Sequence, residues 1–271
     1  MNDKEKKAAV KEKYSGIARQ SLPMDNSSCC DTPGCCGEGG NISMSATDYH
    51  EENGYNADAD LGLGCGVPTR AANIKAGDRV LDLGSGAGSD CFVVRSITGS
   101  SGHVTGIDFS EEMVEKARHN VRKAGFDNMN FMLGDIDNMP FKDNQFDVVI
   151  SNCVLNLVPD KEKAISEIMR VLKPGGHFCI SDVLSKAELP ESLRSDAELY
   201  ASCVSGAPVV SDYLSTIDQA GFEQTEIHKK TPISIPENIL KKHLDDEQLQ
   251  AFRSGKNGVF SVTISGTKPT V

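Results

Sequence analysis

Tryptophan is absent, and aromatic residues make up only 6% of the chain. A chain so poor in flat aromatic surface has few platforms on which nucleic-acid bases could stack. Positive charge is also short. Twenty-eight Lys and Arg stand against 39 Asp and Glu, a formal net charge of −11. That balance repels phosphate backbones and anionic membrane surfaces, so neither nucleic acid nor membrane is an expected partner. No apolar run approaches the ~20 residues of a membrane span. The start, Met1 to Lys13, is charged and helix-favouring and lacks the apolar centre of a secretory signal. The expectation is a cytoplasmic protein. There is no internal repeat. The histidines, His50, His103, His119, His177, His228 and His243, are scattered, and none has metal-ligand spacing.

What remains is an ordinary globular composition with one excess. The 271 residues are 38% hydrophobic and 25% charged, which suits one large domain or a domain with an elaboration. The excess is cysteine, nine in all. The number is odd and the expected compartment reducing, which argues against a disulfide framework. Metal binding, thiol chemistry and core filling stay open. Three regions are expected. Residues 1–70 hold a charged helix (Lys4 to Arg19), a Gly/Ser/Cys-rich stretch and the run Leu61-Gly62-Leu63-Gly64-Cys65-Gly66. Residues 71–185 alternate strand and helix patterns. Residues 186–271 carry helical segments and two late strand candidates.

The middle region is the clearest. Strands are predicted at Arg79 to Leu83, His103 to Ile107, Asn130 to Leu133, Phe146 to Ile150 and His177 to Ser181. Helices fall between them. One starts near Asp90. Another is capped by Ser110 and stopped at Gly125, with Met113, Val114, Ala117 and Val121 at helical spacing. A third runs from Lys161 to Leu172, with Asp160 as cap and Pro174-Gly175-Gly176 as stop. Asp245-Asp246 reads as a solvated helix start. Strands alternating with helices give an α/β fold, a doubly wound and mostly parallel sheet. Glu226 to Lys230 and Val259 to Ile264 would bring it to seven strands.

Val80-Leu81-Asp82-Leu83-Gly84-Ser85-Gly86-Ala87-Gly88 lies between a strand and a helix, where a nucleotide loop belongs. Gly84 permits a sharp turn, Gly86 a close ligand approach, and Gly88 close helix packing. Asp108 ends the next strand about 20 residues on, where a carboxylate can hold ribose hydroxyls. The plain alternative is a structural turn and a helix-capping Asp. Asp82, two residues before the first glycine, disfavours a pyrophosphate but suits a cationic amino-acid ligand. This stretch resembles motif I of class I methyltransferases. Gly134-Asp135-Ile136 resembles their adenine-side motif, and Lys173-Pro174-Gly175-Gly176 is another of their habits. The resemblance, from Val80 to Asp182, implies a Rossmann-like sheet that binds S-adenosyl-L-methionine. It implies contacts from Asp82, Gly84, Ser85, Gly86, Gly88, Asp108, Phe109, Gly134, Asp135, Ile136 and Asn152.

The cysteines sort by context. Cys91 early in a helix and Cys179 within a strand read as core filling. Cys65 sits between glycines, which leaves little bulk beside its thiol. Cys153 follows the fourth strand, at the sheet edge where open α/β folds place ligands. Cys203 lies in Leu199 to Val204, a plausible helix before Gly206 and Pro208. These three could meet above the sheet, and each alone is as consistent with an inert buried thiol as with a ligand. Cys29-Cys30 and Cys35-Cys36 lack the C-x-x-C spacing of common zinc sites. They read better as a mobile thiol arm suited to exchange.

Leu61-Gly62-Leu63-Gly64-Cys65-Gly66, Ser151-Asn152-Cys153-Val154-Leu155-Asn156-Leu157 and Cys203 together resemble the arsenite methyltransferase family, from about Ser27 to Gly221. The resemblance implies that Cys65, Cys153 and Cys203 bind trivalent arsenic, as arsenite or methylarsenite, in arsenic detoxification. Soft thiolates match that soft centre. It also implies an oxidative pairing of Cys65 with Cys29, Cys30, Cys35 or Cys36. Thioredoxin or a small thiol would reset that pair. The main rival is a methyltransferase acting on carbon or oxygen of a small organic molecule, with the cysteines incidental; a second is a thiol sensor for metalloids or zinc that retains an inactive methyltransferase fold.

Overall fold

The computed structural model describes residues 3–20, 49–194 and 203–270. Cys29, Cys30, Cys35 and Cys36, and residues 199–202 of the helix expected before Cys203, lie outside the described residues.

Seven strands form one sheet: β1 Arg79–Leu83, β2 His103–Asp108, β3 Met129–Leu133, β4 Phe146–Asn152, β5 Leu172–Ser185, β6 Glu223–Ile233 and β7 Val259–Thr267. Their order is β3-β2-β1-β4-β5-β7-β6. β1 to β5 run parallel, whereas β7 is antiparallel to both β5 and β6. The order reverses between β1 and β4, so their carboxyl ends flank the crevice where such sheets take ligands.

The helices are α1 Asp3–Gln20, α2 Ser89–Thr98, α3 Glu111–Ala124, α4 Lys161–Val171, α5 Glu191–Arg194, α6 Val210–Gln219, α7 Glu237–His243 and α8 Asp246–Arg253. Three expected caps are present. Ser110 Oγ accepts the Met113 N–H, Asp160 accepts the Lys163 N–H, and Asp245 forms a capping box with Gln248. Gly125 closes α3 at φ +71°, left-handed backbone that glycine adopts without penalty. α4 ends one residue before the predicted Leu172, and Pro174-Gly175-Gly176 is not its stop. That stretch already belongs to β5, where the Gly175 N–H donates to the Lys268 carbonyl at 3.0 Å. Pairing with the tail of β7 overrides the local turn signal.

The central strands are apolar on both faces, as parallel strands sandwiched by helices must be. Leu81, Val149, Phe178 and Ile180 face Ile165, Ile168 and Val171 of α4. Val80, Val148, Ile150 and Cys179 face Cys91, Phe92 and Val94 of α2 and Val114 and Val121 of α3. Cys91 and Cys179 are thus core residues, as expected. A third apolar cluster holds Cys65, Cys153 and Cys203 with Val10 of α1, Val183, Leu193 and Leu240. α1 crosses onto the start of α3, where Ser15 Oγ donates to Glu112 at 2.6 Å. No described helix is long and apolar enough to cross a membrane.

Candidate active site

One open cavity lies over the carboxyl ends of β1, β2 and β4. Its walls come from the glycine loop, from Asp60 to Gly64, from Gly134 to Ile136, from Asn152 to Val154, and from Lys7, Val10 and Tyr14 of α1. Asp82, Gly84, Ser85, Gly86, Asp108, Phe109, Gly134, Asp135, Ile136 and Asn152 all line it. Gly88 does not.

The glycines differ in their work. Gly84 has φ +63°, and a Cβ there would lie 2.4 Å from Val154 Cγ2. It is small because β4's exit loop presses on it. Gly86 has nothing nearer than Met113 Sδ at 4.0 Å, so its open side faces the cavity. Gly88 caps α2 at φ +99°, and a Cβ would meet Phe131 at 2.9 Å. It packs the helix onto the sheet, as the sequence indicates.

Three buried carboxylates edge the cavity. Burial pushes Asp82 well above the usual carboxylate range, and the nearby charge of Asp90 adds to this. Burial likewise raises Asp90 to about 6, against hydrogen bonds from Asn152 and Tyr49 that lower it. Asp108 is also raised by burial, opposed by backbone N–H donors. The Gly86 and Ser110 N–H groups donate to its two oxygens, each at 2.9 Å. Asp108 therefore shapes the loop as well as facing the cavity. Such a set invites a cation, whose charge would offset the repulsion. Ser85 Oγ is buried without a hydrogen-bond partner beside them. The cavity thus fits a ligand with positive charge and hydroxyls.

Asn152 holds the cysteine loop. Its Oδ1 accepts the Cys65 N–H at 3.1 Å and the Gly66 N–H at 3.3 Å. Its Nδ2 donates to Tyr49 Oη, to the Gly66 carbonyl and to Asp90 Oδ2 at 2.6, 2.8 and 3.1 Å. A Cβ on Gly64 would sit 2.7 Å from Asn152 Nδ2, and one on Gly66 would sit 2.5 Å from Ser181 Oγ. The glycines flanking Cys65 thus bring its backbone against Asn152 and Ser181.

Cys153 lines the cavity and shares one buried apolar cluster with Cys65 and Cys203. Cys203 Sγ donates to the Cys153 carbonyl at 3.2 Å. Burial lifts the Cys153 thiol well above its ordinary value, and the two neighbouring thiols raise it further. The neighbouring Cys153 thiol lowers the Cys65 thiol, but burial and Asp182 leave it raised. Cys153 and Cys203 have φ of +63° and +62°. Left-handed backbone at non-glycine residues costs on the order of 1–3 kcal/mol and clusters at functional sites. Among the described residues, no group of three or more His, Cys, Asp or Glu is arranged to hold a metal ion. The three cysteines share one buried apolar cluster as free thiols.

Sequence reasoning missed Asp90, Tyr49, Lys7 and Tyr14. Asp90 carries a faint signal as an acid directly after the glycine loop. Tyr49 and the α1 residues carry none, since they reach the cavity only through the tertiary fold.

Residues 74–242 match the methyltransferase-domain family. An arsenite methyltransferase of Halobacterium salinarum is 43% identical over 237 residues, 83% of this chain and 59% of that protein. One of Aquipseudomonas alcaligenes is 34% identical over 88% of this chain and 68% of its own length. The crystal structure of an arsenic(III) S-adenosylmethionine methyltransferase from Chlamydomonas reinhardtii superposes with a TM-score of 0.64. It shares 36% identity over 76% of this chain and 68% of that one. The chain spans just over half to two thirds of the lengths of these relatives.

Proposed function

Because the chain belongs to the arsenite methyltransferase family, we propose that it transfers a methyl group from S-adenosylmethionine to trivalent arsenic held by Cys65, Cys153 and Cys203. One observation carries the reading. The acidic cavity opens onto Cys153, and Cys153 shares one buried cluster with both other cysteines.

S-adenosylmethionine supplies an electrophilic methyl on a positively charged sulfur. Asp82 and Asp90 suit its cationic end, Asp108 its ribose hydroxyls, and the Gly134 to Ile136 wall its adenine. Arsenous acid is uncharged, so the acidic surface does not repel it. As three thiols replace its three hydroxyls, each S–H proton leaves with a hydroxide as water. No net acid or base is consumed, which suits thiols that burial keeps protonated. The Cys203 S–H bond to the Cys153 carbonyl gives way as arsenic takes the proton's place. The arsenic lone pair then attacks the methyl carbon while the carbon–sulfur bond breaks. Fixing lone pair and methyl in line makes the attack effectively unimolecular.

Methylation formally raises arsenic to the pentavalent state. Two thiols restore it with two electrons, losing two protons and forming a disulfide. The proposed pair is Cys65 with one of Cys29, Cys30, Cys35 or Cys36. Thioredoxin or a small thiol resets that pair by exchange, in a reducing cytoplasm. Methylarsenite enters the same site for a further round.

The test is incubation with arsenite, a thiol and S-adenosylmethionine, followed by arsenic speciation. Methylated arsenic is expected from the wild type and is lost in Cys153→Ser and Cys203→Ser. Normal turnover by both variants refutes the thiol site.

A further inference from the structure

The backbone around Cys65 is held by side chains from distant parts of the fold. Asn152 Oδ1 accepts the N–H groups of Cys65 and Gly66, and Ser261 Oγ donates to the Cys65 carbonyl at 2.5 Å. The Gly66 carbonyl faces two donors, Asn152 Nδ2 at 2.8 Å and Tyr49 Oη at 2.9 Å. Tyr49 is buried and lines the cofactor cavity. Its hydroxyl has one proton but two acceptors, the Gly66 carbonyl at 2.9 Å and Asp90 Oδ1 at 2.8 Å. The 2.6 Å contact with Asn152 Nδ2 uses a lone pair of the hydroxyl, since the amide is the donor there. Asn152 has no proton to spare, because its two amide hydrogens already face Tyr49 Oη, the Gly66 carbonyl and Asp90 Oδ2.

Which acceptor takes the tyrosine proton depends on charge. An ionised carboxylate is the stronger acceptor, because charge-assisted hydrogen bonds are roughly twice as strong as neutral ones. With Asp90 ionised and unpaired, the proton lies on Asp90 and the Gly66 carbonyl relies on Asn152. A cation against Asp90 offsets that charge and weakens its hold on the proton. We propose that the Tyr49 hydroxyl couples the cofactor cavity to the arsenic site: a cation seated against Asp90 releases the tyrosine proton to the Gly66 carbonyl, which fixes Cys65 for arsenic. The inference rests on the arsenite reading above and goes beyond it by making the two binding events assist each other. Linkage makes the effect reciprocal, so arsenic at Cys65 tightens cofactor binding by the same factor. The thiols then grip arsenic most firmly when the methyl donor is present. Tyr49 is a positioning residue. It acts through Asp90 and Gly66, and its proton only changes acceptor.

The experiment measures arsenite affinity by calorimetry, with and without saturating S-adenosylhomocysteine, which keeps the amino-acid cation but has no methyl to transfer. The proteins are wild type, Tyr49→Phe and Asp90→Asn, all at pH 8, above the value of about 6 at which Asp90 ionises. S-adenosylhomocysteine should tighten arsenite binding to wild type about fivefold, the low end of ordinary coupling between sites. Tyr49→Phe keeps the ring and removes only the hydroxyl, and its ratio should fall below about twofold. Asp90→Asn removes the charge that holds the proton, and its ratio should fall likewise. A merely structural role for Tyr49 would weaken both affinities and leave their ratio at the wild-type value.

A wild-type ratio of one overturns the proposal while leaving the arsenite reading intact. So does a full wild-type ratio in Tyr49→Phe or in Asp90→Asn. Should Tyr49→Phe fail to fold, the Asp90→Asn ratio decides alone. A wild type that binds no arsenite in either state overturns the underlying reading, and this inference with it.

Discussion

Asn152 Oδ1 accepts the backbone N–H of Cys65 at 3.1 Å across 87 residues of sequence. One side chain at the end of β4 thus sets where a thiol from an irregular loop stands. The same amide reaches Tyr49 and Asp90, so the cysteine loop and the acidic cavity share a support.

Replacing Asn152 by Ala leaves the Cys65 and Gly66 N–H groups without their acceptor. Each buried orphan costs about 1–3 kcal/mol. The variant should unfold at lower denaturant, and arsenite should bind at least tenfold more weakly than to wild type. Denaturant titration and arsenite binding check the two effects separately, and unchanged binding would refute the supporting role.

Gly84 and Gly86 should answer differently to alanine. A methyl on Gly84 collides with Val154 at 2.4 Å, in backbone that alanine resists. Overpacking of that kind costs about 1–3 kcal/mol, and the positive φ adds to it. Gly86→Ala meets open space, so its cost is confined to the backbone, about 1 kcal/mol. Its methyl projects where the ligand approaches. Gly84→Ala should mainly lower Tm, and Gly86→Ala should mainly weaken S-adenosylhomocysteine binding in calorimetry.

Asp90 makes both stability and binding depend on pH, in opposite senses. Its ordinary value of 3.8 rises to about 6 on folding, chiefly through burial. The folded state holds that proton more tightly, so its contribution to stability is fullest below 3.8 and is lost as pH rises through about 6. Asp90→Asn removes the penalty and should stabilise the protein at pH 8 by up to about 3 kcal/mol, with little effect at pH 4. A cationic ligand prefers the ionised form. S-adenosylmethionine affinity should therefore rise between pH 5 and 7, and rise less in Asp90→Asn. Urea titrations at both pH values, with calorimetry, decide it.

Lys7 pairs with Asp135 at 2.6 Å and Asp137 at 2.8 Å at the edge of the cavity. The pairs are part-exposed, so Lys7→Met should cost less than about 1 kcal/mol of stability. It should nonetheless speed hydrogen exchange in α1, because the tie to the Gly134 loop is gone. Unchanged exchange would show that Ser15 and the apolar face of α1 suffice to hold it.

Local chemistry was enough to determine the sheet and its glycine loop. Apolar runs such as Val148 to Ile150 can only be strands buried on both faces. Ser110, Asp160 and Asp245 announce helix starts, and Gly84 to Gly88 mark a turn made for a ligand. Those signals act over a few residues, within reach of local hydrogen bonds and sterics. The same locality misled at Pro174 to Gly176, which read as a helix stop and became part of β5 once β7 paired with it. Only tertiary structure could bring Cys65, Cys153 and Cys203 together, bind Cys65 to Asn152, or lay Tyr14 of α1 against the cysteine cluster. Those contacts join residues at least 50 positions apart. Their partners are chosen by the order of strands and the packing of helices, which no neighbouring residue encodes.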